Sequence, residues 1–158
     1  MQTFRIGMNK AAFTLIELVI VIFIISLTSA LILPNLWGTS ERAVKSEAKR
    51  IGNTLRYVYD EAIGKKKTYL VKINLDKDSW EFESENETRN FTMKDNVMFK
   101  DIIVPSLGEI SFGEVIFKFG PMGSEEPVLI HLMKDEAEYT VTFNHINGRA
   151  KVHEGYKL

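Results

Sequence analysis

One run of apolar residues near the N-terminus most constrains what this chain can become. Residues 13–36 read Phe-Thr-Leu-Ile-Glu-Leu-Val-Ile-Val-Ile-Phe-Ile-Ile-Ser-Leu-Thr-Ser-Ala-Leu-Ile-Leu-Pro-Asn-Leu and contain a single charged residue, Glu17. At about 1.5 Å per residue, an α-helix of this length would extend roughly 36 Å, which is enough to cross the hydrocarbon core of a bilayer. The run therefore predicts a membrane-spanning helix.

Glu17 is unusual in such a helix. An acidic residue costs about 2.5–3.5 kcal/mol near the centre of a membrane span and less toward the edge, where Glu17 lies. A helix that served only as an anchor would gain nothing from this cost. We therefore expect Glu17 to have a function and a partner of opposite charge.

A second helical pattern follows the apolar run. Apolar side chains recur three or four positions apart between charged residues, and they are Val44, Ala48, Ile51, Leu55, Val58 and Ala62. This spacing is typical of an amphipathic helix with one buried stripe. Gly64 and the three lysines after it are typical of a helix C-terminus. Pro34, which lies between the two patterns, has no N–H, and we expect it to kink or locally melt the helix.

After Gly64 the apolar period changes from about 3.6 to two, which predicts β-strands. Residues 69–75 and 80–83 form a predicted hairpin, whereas the polar residues 84–90 are predicted to be a mobile loop. Later predicted strands cover residues 97–99, 102–104, 110–112, 115–119, 128–133 and 138–143. Asn147-Gly148 predicts a tight turn into a last strand at residues 149–153. The short connections favour an antiparallel meander.

These patterns together predict an α+β fold, in which a long N-terminal helix packs on a C-terminal antiparallel β domain. The apolar half of the helix is assigned to residues 13–36, the amphipathic half to residues 37–64 and the β domain to residues 65–158. The chain has 158 residues and no cysteine, which excludes disulfides, thiolate zinc sites and cysteine nucleophiles. Its formal net charge of −1 gives no sign of a strongly basic nucleic-acid-binding protein.

No arrangement of residues in the sequence is typical of an active site. His131, His145 and His153 have no ligand spacing, and we interpret them as surface or satisfied side chains. No phosphate loop, Rossmann fingerprint, H-E-x-x-H motif or nucleophile elbow occurs. Asp76 and Asp78 lack the other ligands of a calcium loop. We therefore predict that the protein is not an enzyme and has no catalytic residue, metal or cofactor.

The segment Lys10-Ala11-Ala12-Phe13-Thr14-Leu15-Ile16-Glu17 resembles the cleavage and methylation motif of type IV pilins and type II secretion pseudopilins. The resemblance implies that residues 1–12 are a leader, which a prepilin peptidase removes between Ala12 and Phe13. It further implies that an N-methyltransferase methylates Phe13 and that Glu17 pairs with the N-terminal amine of a neighbouring subunit. Pro34 lies where the family commonly has a helix-kinking proline. The residue before the cut is usually Gly in the family, and here it is Ala12.

The C-terminal half extends the resemblance. Residues 117–123, an apolar strand after Pro127 and a hairpin that closes on Asn147-Gly148-Arg149 are similar to the H-type minor pseudopilins and the related T-type fimbrial minor pilins. This implies a structural subunit of the type II secretion pseudopilus, with other pseudopilins in a helical filament and the secretion machinery as partners. It also implies a single-pass protein of the bacterial inner membrane, with a cytoplasmic N-terminus and a periplasmic β domain. The alternative is a minor type IV pilin of a pilus or DNA-uptake machine.

Two other interpretations of the apolar run stay open. A plain signal anchor would account for its length but would not need Glu17. A cleaved secretory signal could use Thr28-Ser29-Ala30 as its small-residue site, although the apolar run continues beyond Ala30.

DNA is the partner that the alternative function would require. Arg149, Lys151 and Lys157 are the residues that could form a basic patch, but Glu154 lies among them. Three cations would give only a weak and salt-sensitive footprint on DNA. We therefore do not predict DNA as the main partner.

Overall fold

The computed structural model describes residues 14–85 and 87–158, and for residues 30–37 it describes the backbone alone. The elements in chain order are α1 (Leu15–Lys65), β1 (Tyr69–Asn74), β2 (Ser79–Ser84), β3 (Glu87–Thr92), β4 (Met98–Val104), β5 (Gly108–Ile110), β6 (Glu114–Gly120), β7 (Gly123–Ser124), β8 (Val128–Lys134), β9 (Ala137–Asn144) and β10 (Arg149–Glu154). The chain divides into two units after Trp37, and Gly38–Leu158 is the larger one. An N-terminal helix followed by antiparallel strands confirms the predicted α+β class.

Gly38–Leu158 contains two five-stranded antiparallel sheets. The first sheet has the order β3-β2-β1-β6-β7, and the second sheet has the order β10-β9-β8-β4-β5. The predicted meander is therefore wrong, because β1 pairs with β6 and β4 pairs with β8 across intervening strands. An open twisted sheet of about ten strands tends to curl or split. Two smaller sheets can instead direct their apolar faces at one shared core.

The amphipathic part of α1 supplies one wall of this core. All six residues of the predicted stripe are at most 1% exposed, and they are Val44, Ala48, Ile51, Leu55, Val58 and Ala62. Inward-facing strand residues such as Ile73 and Ile130 are completely buried. A Cβ added at Gly52 would lie 3.2 Å from the Cβ of Ala150, so α1 and β10 approach closely at this glycine.

β3 occupies residues for which a mobile loop is predicted, although Asn86 lies outside the described residues. It pairs with β2 so that Phe91 lies opposite Trp80, and the two rings stack with their centroids 4.1 Å apart. β3 is an edge strand, and most of its side chains face solvent. Its sequence therefore lacks the apolar alternation that identifies an inner strand.

Two aspartates of the β1–β2 turn accept hydrogen bonds from neighbouring parts of the chain. The Asp76 carboxylate accepts a hydrogen bond from the Gly113 N–H at 3.2 Å, and the Asp78 carboxylate accepts one from the Phe99 N–H at 2.8 Å. Both carboxylates thus have a structural function in the turn.

Candidate assembly site

α1 begins with its own N-cap. The Glu17 N–H donates to the Thr14 hydroxyl oxygen at 3.2 Å, and the Leu18 N–H donates to the Thr14 carbonyl oxygen at 3.2 Å. Thr14 therefore satisfies donors that the start of a helix leaves unpaired. This function of Thr14 was not predicted, although the T-x-x-E spacing of Thr14 and Glu17 is a known signature of a helix N-terminus.

The Glu17 side chain is exposed, and within residues 14–85 and 87–158 its carboxylate has no hydrogen bond or ion pair. An acid in the first turn is favourable to the helix dipole, which is the simplest structural explanation for its presence. In a complete capping box, however, the glutamate side chain would also accept from the N–H of the cap residue. This bond is not formed here, so the capping box is incomplete within the described residues.

The residues after Glu17 expose apolar side chains on every side of the helix. From Leu18 to Leu27, the exposed fraction of the large apolar side chains ranges from 45% at Val21 to 65% at Phe23. Ser26 and Thr28 donate their hydroxyl hydrogens to backbone carbonyls one turn earlier, at 2.8 and 2.9 Å. The polar groups of this segment are therefore satisfied without water, as an apolar environment requires.

The other predicted site residues lie at or beyond the limits of this description. Ala12 and Phe13, the predicted cleavage and N-methylation sites, are outside the described residues. Pro34 lies inside α1, and the kink expected there stays a prediction. Within the described part of the chain, no helix is both long enough and apolar enough to cross a membrane.

The outer face of β10 carries a short row of basic side chains. Arg149, Lys151 and His153 alternate along the strand and so project from the same face, whereas Glu154 projects from the other. They line a shallow groove of about 300 Å³ with Thr142, Asn144 and Asn147, and Lys157 is not part of it. Neither Arg149 nor Lys151 forms an ion pair with another described residue. Glu154 therefore does not interrupt the row, as its place in the sequence had suggested.

A buried polar row crosses the outer face of the second sheet. Asp101, His131 and Thr140 lie side by side on β4, β8 and β9, and each is at most 3% exposed. His131 Nδ1 lies 2.5 Å from Asp101 Oδ1, and Nε2 lies 2.8 Å from the carbonyl oxygen of Lys157. The interpretation of His131 as a satisfied histidine is therefore confirmed.

The two ends of the chain are similar to known proteins in different ways. Residues 7–33 match the family described as the prokaryotic N-terminal methylation motif.

Two solved structures of the minor pseudopilin EpsH from the type II secretion system of Vibrio cholerae match the chain with TM-scores of 0.52 and 0.58. They are 17% and 15% identical to it, and the matches cover 70% and 74% of this chain and 96% and 98% of EpsH. No curated protein gives a significant sequence match. The two parts of the predicted resemblance, a prepilin motif and a pseudopilin-like fold, are thus confirmed.

Proposed function

We propose that the chain is a minor pseudopilin, a structural subunit of the type II secretion pseudopilus that serves protein secretion across the outer membrane. The observation that carries this proposal is the presence of both a methylation motif and a domain with the fold of EpsH in one chain. The motif supplies the signal for processing and assembly, and the domain supplies the outward-facing part of a subunit. A structural function of this kind requires no catalytic residue, metal or cofactor.

The proposal gives each part of the chain a location. Residues 13–36 hold the subunit in the bacterial inner membrane as a single span and enter the helical core of the filament. The N-terminus is then cytoplasmic, and the domain formed by Gly38–Leu158 is periplasmic. The exposed apolar surface of residues 18–27 supports this assignment, because a helix that is apolar on all sides needs lipid or other helices around it.

Glu17 is the residue that would connect neighbouring subunits. Cleavage after Ala12 would give Phe13 a free amine, about one helical turn from Glu17. In a staggered filament, the amine of one subunit could pair with the Glu17 carboxylate of the next. The absence of a partner for this carboxylate among the described residues supports an intermolecular pair.

The test of processing is the intact mass of the protein from membranes that also contain a prepilin peptidase and its N-methyltransferase. We expect the loss of residues 1–12 and the gain of one methyl group. An N-terminus at Leu31 would instead support a cleaved secretory signal, and an uncleaved chain would support a plain anchor.

The test of function is deletion of the gene in its own bacterium, with three processes measured in parallel. A pseudopilin deletion should reduce the amount of secreted protein in the medium while leaving piliation and DNA uptake unchanged. The opposite pattern would support the alternative function in a pilus or DNA-uptake machine. Restoration by the intact gene, but not by a gene that lacks the codons for residues 2–12, controls for effects on neighbouring genes.

One observation favours that alternative, namely the row of Arg149, Lys151 and His153 on one face of β10. If the chain binds DNA there, Arg149→Ala and Lys151→Ala should each reduce the slope of log affinity against log salt by about one. Lys118→Ala removes an exposed cation from the first sheet and is the matched control. Weak binding with the same slope in all three variants would exclude this groove as a DNA site.

A further inference from the structure

Three basic side chains share one face of α1 shortly after the apolar run. Arg42, Lys45 and Lys49 are spaced three and four residues apart, which places them on the same side of a helix. All three are exposed, and none forms an ion pair with another described residue. Arg50, by contrast, lies 2.5 Å from the Glu47 carboxylate. The positive charges of this face therefore have no contacting counter-charge in the described part of the chain.

A groove of about 400 Å³ begins at Arg42, between α1, the β3–β4 loop and the end of β8. Its lining residues are Thr39, Arg42, Ala43, Ser46, Asp95 and Lys134. Arg42 and Lys134 bring two positive charges to the groove, whereas Asp95 is the one carboxylate among the lining residues. Like Arg42, Lys134 forms no ion pair with a described residue. Two cations with hydroxyl groups beside them suit an anion that carries several oxygen atoms, such as a phosphate.

Two acidic side chains next to the groove bind hydroxyl groups. The carboxylate of Asp135, which follows Lys134 in the chain, accepts a hydrogen bond from the Ser40 hydroxyl at 2.6 Å. The Glu41 carboxylate accepts one from the Tyr139 hydroxyl at 3.1 Å. Neither carboxylate forms an ion pair with a basic residue of the groove. The bond from α1 to the β8–β9 turn also holds two walls of the groove together.

The Arg42 side chain runs back along the helix. A Cβ added at Gly38 would lie 3.9 Å from Arg42 Nε and 4.0 Å from its Cζ, so the guanidinium reaches back about one turn. Long helical side chains commonly point toward the helix N-terminus. In the sequence this direction leads to the apolar run, which ends at Leu36. Arginine and lysine near the end of a membrane span use such a reach to place their charge among lipid headgroups.

The position of these cations is unexpected under the proposed function, on which this inference rests. If residues 13–36 span the membrane with a cytoplasmic N-terminus, four basic residues follow the span within about 15 residues, and only Arg5 and Lys10 precede it. The positive-inside rule favours the opposite distribution. The six residues from Leu36 to Arg42 rise only about 9 Å as a helix, which is close to the headgroup layer of roughly 5–8 Å. A function at the membrane surface would explain why cations are kept there.

We propose that this groove, with Lys45 and Lys49 beside it, binds the phosphate of an anionic phospholipid headgroup at the membrane surface. Arg42 and Lys134 contact the phosphate oxygens, and the two other lysines add attraction to the charged surface. The occupied groove holds the domain at the membrane until the subunit enters a filament. DNA or an acidic protein would meet the same charges, but neither needs them next to an apolar run.

Lipid binding to the full-length chain in micelles of a neutral detergent tests the proposal. Phosphatidylglycerol and phosphatidylcholine with identical acyl chains compete in equal amounts, and native mass spectrometry measures which lipid stays bound. We expect a clear preference for phosphatidylglycerol. Inorganic phosphate offers a similar anion without the lipid, so the preference should persist when it is added. No preference, or a preference that inorganic phosphate abolishes, would overturn the proposal.

The decisive variant combines Arg42→Gln with Lys134→Gln, which removes two charges from the groove. At about fivefold for each Lys or Arg near an anionic lipid surface, the preference for phosphatidylglycerol should fall on the order of 25-fold. The matched control combines Arg149→Gln with Lys151→Gln, which removes the same charges from the exposed face of β10 and should keep the preference. The leader is present in every variant and does not affect the comparison. Equal losses in the two double variants would mean that net charge alone attracts the lipid, and would overturn the proposal.

NMR of the unchanged chain gives a second measurement in case the double variant does not fold. Phosphatidylglycerol should shift the amide signals of Thr39, Ser46 and Lys134, and phosphatidylcholine should not. Shifts confined to residues 149–153 would place the lipid on β10 and contradict the proposal.

Intact mass separates this inference from the proposed function. A chain that loses residues 1–12 but shows no preference for phosphatidylglycerol contradicts the lipid site alone. An unprocessed chain contradicts the proposed function, whichever lipid it binds.

Discussion

The two halves of α1 form one continuous helix of 51 residues but depend on different surroundings. From Leu18 to Leu27 each large apolar side chain is at least 45% exposed, whereas the six residues of the stripe between Val44 and Ala62 are at most 1% exposed. The second half completes its core with strands of its own chain. Among the described residues, nothing covers the apolar surface of the first half. Under the proposed function, lipids or the helices of other subunits would cover it.

The acidic residues of α1 show the same difference. In the second half, the Glu47 carboxylate lies 2.5 Å from the Arg50 guanidinium, and Glu41 accepts a hydrogen bond from the Tyr139 hydroxyl at 3.1 Å. Burial raises the pKa of Glu47, although Arg50 opposes this shift. In the first half, Glu17 has no such partner among the described residues. Glu41 and Glu47 in the second half thus have partners within the chain, whereas Glu17 has none among the described residues.

The largest expected effect is the unfolding of the domain, and it tests whether the second half of α1 and the strands form a complete core without the first half. A fragment that begins at Thr39 should fold alone, and Leu55→Asp should unfold it. Leu55 is 1% exposed, and an unpaired carboxylate there costs about 4 kcal/mol or more, which is close to the whole stability of a small domain. Circular dichroism and urea unfolding measure both results.

Leu27→Asp in the full-length chain is the matched change in the first half. Leu27 is 55% exposed, so this variant should leave the unfolding of the domain in detergent micelles unchanged. A folded Leu55→Asp fragment would show that the stripe is not packed as described. Unfolding of the domain by Leu27→Asp would show that the two halves are not independent.

The second prediction concerns how the second half of α1 is fixed to both sheets. A Cβ added at Gly148, in the β9–β10 turn, would lie 2.1 Å from the Tyr59 ring, and one added at Gly123 would lie 2.9 Å from it. The Tyr59 hydroxyl also donates to the Ile146 carbonyl at 3.1 Å. Gly148→Ala should therefore cost about 2–4 kcal/mol of unfolding free energy, because it combines a positive φ with a steric clash.

Gly108→Ala separates these two causes. Gly108 has a φ of 77°, similar to the 64° of Gly148, but no atom lies within 4 Å of its added Cβ. The control should lose only about 1–2 kcal/mol, which is the conformational cost alone. Equal losses in the two variants would mean that Tyr59 can move aside without cost.

These residues also show which features could be predicted from sequence. The stripe was predicted correctly because, in a helix, the spacing of apolar residues alone determines which side chains share a face. The positive φ of Gly123 and Gly148 follows from turn chemistry. Their shared contact with Tyr59 does not, because it arises only when turns from two sheets meet at one helix.

The remaining features depend on long-range pairing. Asp101 and His131 become neighbours only through the register of β4 and β8, which is shifted by an irregularity between Phe99 and Asp101. No local pattern encodes that register. β3 was missed because an edge strand can be held by backbone pairing and the contacts of one aromatic side chain, here Phe91 with Trp80 and Phe82. Glu17 could be singled out from its cost in an apolar run, but none of the described residues is a partner for it.

The third prediction tests whether Glu17, in the first half of α1, is needed for assembly but not for membrane insertion. Glu17→Ala should leave membrane insertion unchanged or slightly improved, because it removes a charge from the apolar run. It should strongly reduce crosslinking to neighbouring pseudopilins, because leaving one member of a buried pair alone costs about 3–5 kcal/mol. Membrane fractionation and crosslinking to subunits on either side measure the two results.

Glu41→Ala is the control, because this acid has its partner within the chain and should not be needed for assembly. If Glu17→Ala crosslinks and supports secretion as well as the unchanged protein, the charge-pair mechanism does not operate in this subunit. A subunit at the tip of a filament has no neighbour ahead of it. Crosslinks to the subunit ahead and to the subunit behind are therefore scored separately.

The smallest expected effect is on the stability of the domain and comes from the hydrogen bond between Tyr139 and Glu41. Glu17, in the first half of α1, has no such bond with a described residue. Burial, and then the hydrogen bond to Glu41, raises the pKa of Tyr139 to about 12. In the unfolded chain a tyrosine has a pKa of about 10. Between about pH 10 and about pH 12, the Tyr139 hydroxyl is therefore ionised in the unfolded chain and still protonated in the folded domain. The contribution of Tyr139 to stability is therefore complete below about pH 10 and is lost as the pH rises toward about 12.

Tyr139→Phe should lower the unfolding free energy at neutral pH by about 1 kcal/mol, since it removes one hydrogen bond to a charged group that water can partly replace. Its unfolding free energy should then fall less steeply than that of the unchanged domain between about pH 10 and about pH 12.

Glu41→Gln separates the effect of burial from the effect of the Glu41 charge, because it keeps the burial of Tyr139 and removes the charge. Since burial is the larger cause, Glu41→Gln should retain most of the alkaline loss. Urea unfolding at a series of pH values measures how steeply the unfolding free energy falls with pH in each variant. If it falls as steeply in Tyr139→Phe as in the unchanged domain, another group is responsible for the alkaline loss of stability.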